Sequence, residues 1–224
     1  LEPNMKTSTR RNFLKKIAIT AASAVAVPGL VKASENLGTA EAESAEAFPG
    51  PGGLIVPKGN GLQISGTFLD EISHDIPHQN WGEKEWDADF RYMKAVGIDT
   101  VILIRSGYRK FITYPSPHLL GQGCYMPSVD LVDMYLRLAQ KYGMKFYFGL
   151  YDSGRYWDTG DMSSEVEHNK YVIDEVWRMY GEKYRSFGGW YLSGEISRST
   201  KGAIGAFRAM GNQCKAVSGG LPTF

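Results

Sequence analysis

Beyond residue 61 the chain repeats one alternation four times, a strand-like apolar run followed by an amphipathic stretch of helix length, and this restricts it to a parallel α/β architecture. The strand runs are Leu62 to Asp70, Thr100 to Arg105, Lys145 to Asp152 and Gly189 to Gly194, and a fifth begins at Leu221. Helical stripes lie between them. Trp86, Phe90, Met93 and Val96 mark the first, and Leu131, Tyr135, Leu138 and Tyr142 the second. The third reads as opening on a capping box, Ser164 with Glu167, and carries Val172, Val176, Met179 and Tyr180. Ile204, Phe207, Met210, Cys214 and Val217 mark the fourth.

Loop lengths favour a barrel over an open sheet. Helix-to-strand returns are tight and marked by Gly97, Gly143 and Gly188-Gly189, whereas strand-to-helix connections are long, Ser106 to Pro127 and Ser153 to Ser163. In a (β/α)8 barrel the long loops and the chemistry share the C-terminal ends of the strands. No Gly-x-Gly-x-x-Gly follows the first strand, which argues against a dinucleotide-binding sheet. The expected fold is therefore of the TIM-barrel type. Four βα units in about 160 residues make roughly half of such a barrel, which typically needs about 250. The sequence reads as truncated after about four units, a fragment of a longer protein in preference to a half barrel completed by a second copy, since a bare half barrel exposes sheet edges and apolar surface.

The N-terminus carries an address. Thr9-Arg10-Arg11-Asn12-Phe13-Leu14-Lys15 precedes a mildly apolar stretch from Ile17 to Val27, and Val31-Lys32-Ala33 offers small residues for cleavage. This looks like a twin-arginine export signal over residues 1–33, with Met5 as the natural start. The protein is then expected in the periplasm or outside the cell, having met the twin-arginine (Tat) export machinery on the way. The apolar run is too short to span a membrane. Residues 34–61, rich in Ala, Glu, Gly and Pro, read as a disordered linker in which Leu54-Ile55-Val56 can form a short strand, and residues 62–224 as the barrel portion.

Six of the 25 basic residues and one of the 24 acidic ones precede Ser34, leaving 19 against 23, or about −4. That sign offers nothing to a nucleic acid or an anionic membrane. Cys124 and Cys214 either pair in an oxidising compartment or stay as two separate buried thiols; two cysteines make no disulfide framework.

The strand ends supply the candidate site. Glu71 follows the first strand and Glu195 the fourth, with Arg105 and Asp152 at the ends of the second and third. Side chains alternate along a strand, so of Asp70 and Glu71 only one points into the mouth, and Glu71 is taken as the substrate contact. Glu195, close to Trp190 and Tyr191, is the candidate catalytic carboxyl, its pKa expected to be raised by desolvation. The competing reading makes it one half of a structural ion pair with Arg105. Asp152 suits a sugar hydroxyl or a turn. Tyr156, Trp157 and Trp81 offer flat faces for pyranose rings, as do Tyr108, Phe111, Tyr114 and Tyr125, although loop aromatics also form miniature cores. His74-Asp75-Ile76-Pro77-His78 raises a metal-dependent alternative, which Pro77 weakens by excluding the helix that would bring both histidines to one face.

Gly66-Thr67-Phe68-Leu69-Asp70-Glu71, Asn80-Trp81, Glu85-Trp86, Met93-Lys94-x-x-Gly97-Ile98-Asp99-Thr100-Val101-Ile102-Leu103 and Gly189-Trp190-Tyr191-x-x-x-Glu195-Ile196 together resemble the secreted bacterial barrels of DUF4434, a domain-of-unknown-function family. The resemblance covers Leu62 to Phe224 and implies the N-terminal half of a barrel related to glycoside hydrolases. In the large retaining clan of those enzymes the general acid/base is a Glu at the end of strand four, a position that Glu195 matches. Gly194 stands where that pattern has Asn, and the nucleophile Glu of strand seven would fall after Phe224. The resemblance thus implies a carbohydrate-active protein, a glycoside hydrolase acting on oligo- or polysaccharide without a cofactor or metal. A noncatalytic carbohydrate-binding barrel and a metal-dependent hydrolase stay as alternatives.

Overall fold

The computed structural model describes residues 48–49, 55–56, 63–71 and 81–224. The expected export signal, nearly all of the expected linker and the His74 to His78 segment lie outside the described residues. Within the linker span, β1 (Phe48–Pro49) pairs antiparallel with β2 (Ile55–Val56).

The main sheet has four parallel strands in the order of the chain: β3 (Gly66–Leu69), β4 (Thr100–Leu103), then, as the third, Lys145–Gly149, and last Phe187–Tyr191. Helices of 13, 11, 14 and 15 residues occupy or follow the crossovers: α1 (Glu83–Ala95), then Leu131–Lys141, Ser163–Val176 and Ala203–Val217. Short pieces decorate the two long loops. The first loop holds the hairpin β5 (Gly107–Tyr108) and β6 (Phe111–Ile112) and the turn of helix α2 (Pro117–Gly121). The numbering continues as α3 (Leu131–Lys141), β7 (Lys145–Gly149), β8 (Tyr151–Asp152), α4 (Arg155–Thr159), α5 (Ser163–Val176), β9 (Phe187–Tyr191) and α6 (Ala203–Val217). A π-turn, Trp177–Gly181, extends α5.

Strand order equal to chain order, with right-handed crossovers, winds every helix onto the same face of the sheet. The side chains agree. Val101, Leu103, Phe146, Phe148 and Trp190, all fully buried, alternate onto one face with Trp86, Phe90 and Tyr135 from α1 and α3. Each such side chain contributes about 1.5–3 kcal/mol by leaving water. The opposite face carries Phe68 and Phe224, each 49% exposed, and Tyr147 and Tyr191 half-buried between them. Residues after α6 pair with β9: Trp190 N–H donates to the Pro222 carbonyl at 2.9 Å and Leu192 N–H to that of Phe224 at 2.8 Å. The fifth run is thus laid parallel against the fourth strand, with Thr223 opposite Trp190.

Local expectations fail at one helix start and one stripe. Ser164 is not a cap; Met162 precedes α5, and Asp161 Oδ1 accepts from Ser163 N–H at 2.9 Å. A capping carboxylate occurs instead on α1, where Glu85 Oε2 accepts from Gly82 N–H at 3.0 Å. Ile204, placed in the stripe of α6, is 77% exposed, because the core-facing stripe runs through Ala203, Ala206, Met210 and Cys214 and leaves Ile204 off it. Cys124 and Cys214 carry free thiols, the second fully buried.

Candidate functional site

The strand ends converge as parallel pairing requires. Leu69 pairs with Leu103 and, at the other side of the sheet, Gly149 with Tyr191, all strands being parallel, so the residues that follow each of them emerge at one edge. Gly149 allows the close approach of β7 to β4: a Cβ there would sit 2.0 Å from the Leu103 carbonyl oxygen.

Arg105, Asp152 and Glu195 form one cluster. Arg105 Nη1 donates to Asp152 Oδ2 at 3.1 Å, and Nη2 lies 3.8 Å from Glu195 Oε1. Asp152 is nearly enclosed, its side chain 3% exposed, and burial raises its pKa against the opposing pull of the Gly154 amide, at 2.8 Å, and of Arg105. Tyr156 ties the fourth strand's extension to the third: its hydroxyl donates to Asp152 Oδ2 at 3.3 Å and accepts from Glu195 N–H at 3.2 Å. Ser193 donates to the Ile104 carbonyl at 2.5 Å, drawing the same segment toward β4. Among the described residues the Arg105 Nε and Ser106 Oγ atoms are buried without a hydrogen-bond partner.

Burial falls on a different glutamate from the one expected. Glu195 has a 59% exposed side chain, since Ser193 and Gly194 carry it past the aromatic strand, and Trp190 points to the opposite, helix-covered face. Glu71 is the enclosed carboxyl, 2% exposed, and desolvation together with the neighbouring Asp70 pushes its pKa up to about 7. A carboxyl so shifted keeps its proton to higher pH than an ordinary glutamate and can then donate a hydrogen bond as well as accept one.

The aromatic candidates divide. Trp157 is 49% exposed beside Tyr156, which is buried and occupied with Asp152. Tyr114 is fully buried, its hydroxyl donating to Glu175 at 3.3 Å, and serves the packing of α5. Trp81 is 36% exposed and meets Trp86 edge to face at 5.2 Å. Phe111 and Tyr125 pack against each other at 5.7 Å, with Tyr125 60% exposed. Tyr108 lies with its ring centroid 5.3 Å from the Arg105 guanidinium. Among the described residues no group of three or more His, Cys, Asp or Glu is placed to hold a metal, and no helix is long and apolar enough to cross a membrane.

Sequence reasoning missed the second layer. Glu165 and Asn169, buried on α5, clamp the segment that carries Asp152. Both Glu165 oxygens accept from Ser153, one from its hydroxyl and one from its N–H at 2.9 Å. Asn169 accepts from Tyr151 N–H at 2.9 Å and donates to the Tyr151 carbonyl at 2.8 Å, replacing a strand neighbour. The readable signal was their place on the helix: 165, 169, 172 and 176 share one stripe, and its first two members are polar.

The profile of a family described as "Domain of unknown function (DUF4434)" matches residues 64–224. A crystal structure from Bacteroides thetaiotaomicron VPI-5482, titled a "putative alpha-L-fucosidase", is 84% identical over 76% of this chain, with a TM-score of 0.71. The chain spans 53% of that protein's length. A family 39 glycoside hydrolase from Bacteroides cellulosilyticus WH2 superposes at a TM-score of 0.47, with 12% identity, over 71% of this chain and 30% of its own. No curated protein matches the chain.

Proposed function

We propose, from the premise that the chain belongs to the DUF4434 family, that it is part of an exported, carbohydrate-active barrel protein hydrolysing O-glycosyl bonds at the Arg105–Asp152–Glu195 cluster. The observation that carries this reading is the meeting of three charged side chains from successive strand ends on one side of a parallel sheet. In it, Glu195 is the general acid/base, exchanging a proton with the glycosidic oxygen. Arg105 positions its carboxylate while Asp152, held by Gly154 and Tyr156, fixes Arg105. The exposed face of Trp157 is the platform for a pyranose ring.

The sheet is read as half of a (β/α)8 barrel. Strands in sequential order, the aromatic face on the side opposite the helices, and a length of 53% of the fucosidase-titled protein favour it. The second carboxylate that glycoside hydrolysis requires would come from the other half. Export by the twin-arginine route, to the periplasm or beyond, rests on Arg10, Arg11, Phe13, Leu14 and Lys15. The name of the relative nominates terminal α-L-fucose as the first substrate to try.

The test is hydrolysis by the full-length protein across a panel of 4-nitrophenyl glycosides that includes the α-L-fucoside. Activity on one member, with kcat lowered about 10²–10⁴-fold in Glu195→Gln, is expected. Loss confined to leaving groups of high pKa assigns the proton to the departing oxygen. Unchanged kcat in Glu195→Gln sinks the assignment, and a binding isotherm without turnover favours the carbohydrate-binding alternative.

A further inference from the structure

The first and second long loops enclose a cleft of about 240 Å³ that the proposed reaction leaves unused. Arg109, Lys110, Arg155, His168, Gln122 and Ser153 line it, and no carboxylate does. None of the ion pairs among the described residues includes Arg109, Lys110 or Arg155. Two acids next to lining residues are engaged elsewhere: Glu165 gives both oxygens to Ser153, and Asp152 is paired with Arg105. Burial, with His118 and Arg155 beside it, lowers the pKa of His168. Its Nδ1 meets His118 Nε2 at 3.1 Å, and its Nε2 has no partner among the described residues.

Arg109 is placed there against its own backbone preference. It sits in the two-residue turn of the β5–β6 hairpin at φ 55°, the one non-glycine at positive φ among the described residues, where turns of this kind favour Gly or Asn. The neighbouring structure holds it. Its N–H donates to the Asp152 carbonyl at 2.9 Å, and its own carbonyl accepts from the Tyr151 hydroxyl and, at 3.5 Å, from Cys124 Sγ. Its side chain lies against Gly154, where a Cβ would come within 3.0 Å of Cγ and Nε. Strain kept at such a position points to use.

The cleft adjoins the candidate site. The Tyr108 ring centroid is 5.3 Å from the guanidinium carbon of Arg109 and 5.3 Å from that of Arg105. Asp152 and Ser153, consecutive in the chain, serve the two sites in turn. A volume below the about 300–1,000 Å³ of pockets for whole drug-sized ligands suits one ring or one charged substituent.

We infer that this cleft is a subsite for an anionic substituent on the glycan, a sulfate ester or a uronate carboxylate, adjoining the sugar bound at Arg105, Asp152 and Glu195. The inference rests on the carbohydrate reading of that neighbouring site. Two guanidinium forks and an ammonium, all three exposed, supply the charge-assisted donors that such oxyanions take, whereas a neutral sugar offers them no opposite charge.

Calorimetric titration of the full-length protein with tetrasaccharides of one length tests it: a neutral one, an oligogalacturonate and a heparin-derived one. Each is run at about 50 and about 200 mM NaCl, a range over which screening of exposed charges grows. An anionic probe is expected to bind at least ten-fold tighter than the neutral one, with an advantage that shrinks in salt and is lost in Lys110→Gln/Arg155→Gln, two exposed substitutions compatible with folding. Preference for the sulfated or the uronate probe identifies the substituent. Equal binding of neutral and anionic probes, or an advantage retained in the double variant, overturns the subsite and leaves the proposed hydrolysis standing. Sodium sulfate bound as tightly as the sulfated sugar overturns its assignment to a glycan. Loss of both glycoside turnover and binding of every probe overturns the two readings together.

Discussion

Arg105 Nη1 lies 3.1 Å from Asp152 Oδ2, joining the segment that leaves β4 to β8 through a pair whose side chains are 16% and 3% exposed. A pair so enclosed is costly to break from one side, since the remaining carboxylate is left in a dry site. Arg105→Met is expected to destabilise the protein by about 3–5 kcal/mol, read from urea unfolding midpoints at pH 7. Arg105→Met/Asp152→Leu should recover much of that loss while binding no sugar, which separates the stability of the pair from its use.

Glu71 makes stability depend on pH in a sense opposite to that of a salt-bridged acid. Its folded pKa, about 7, exceeds the ordinary value of 4.5, so between those two pH values the folded protein retains a proton that the unfolded chain releases. Stability therefore falls as pH rises through this window, by about 3 kcal/mol at most. Glu71→Gln removes the dependence. Its unfolding free energy should match the wild type near pH 4 and exceed it at pH 8, and parallel curves for the two proteins would contradict the burial.

Asn169 substitutes for a strand along Tyr151, satisfying both its N–H and its carbonyl. Asn169→Ala leaves two buried backbone groups unpaired at about 1–3 kcal/mol each. The expected signature is local as well as global: faster hydrogen exchange at the Tyr151 and Ser153 amides, and weaker sugar binding as Asp152 loses its support.

Trp157 distinguishes a sugar platform from a miniature core. With 49% of its surface exposed, Trp157→Ala is expected to change stability by no more than about 0.5 kcal/mol. Oligosaccharide affinity should fall about ten-fold, as the loss of an aromatic contact worth roughly 1 kcal/mol or more implies. A large drop in Tm with unchanged affinity would assign the ring to packing.

The alternation of apolar runs and helical stripes by itself determined the parallel sheet and its crossovers, because period and loop length are properties of the chain taken a few residues at a time. Helix-facing residues such as Trp86, Phe90 and Tyr135 were legible for that reason. So was the arrival of Glu71, Arg105, Asp152 and Glu195 at strand ends, since parallel strands send all their C-termini one way. Which of the carboxyls is enclosed was not, since burial depends on what packs around a side chain from distant parts of the chain. Two residues past a strand, Ser193 and Gly194 carry Glu195 into solvent, while Glu71 is enclosed at 2% exposure. Only the tertiary structure brought Glu165 and Asn169 under the third strand end and set Arg109 against Gly154. Those contacts join segments whose pairing the local pattern does not encode.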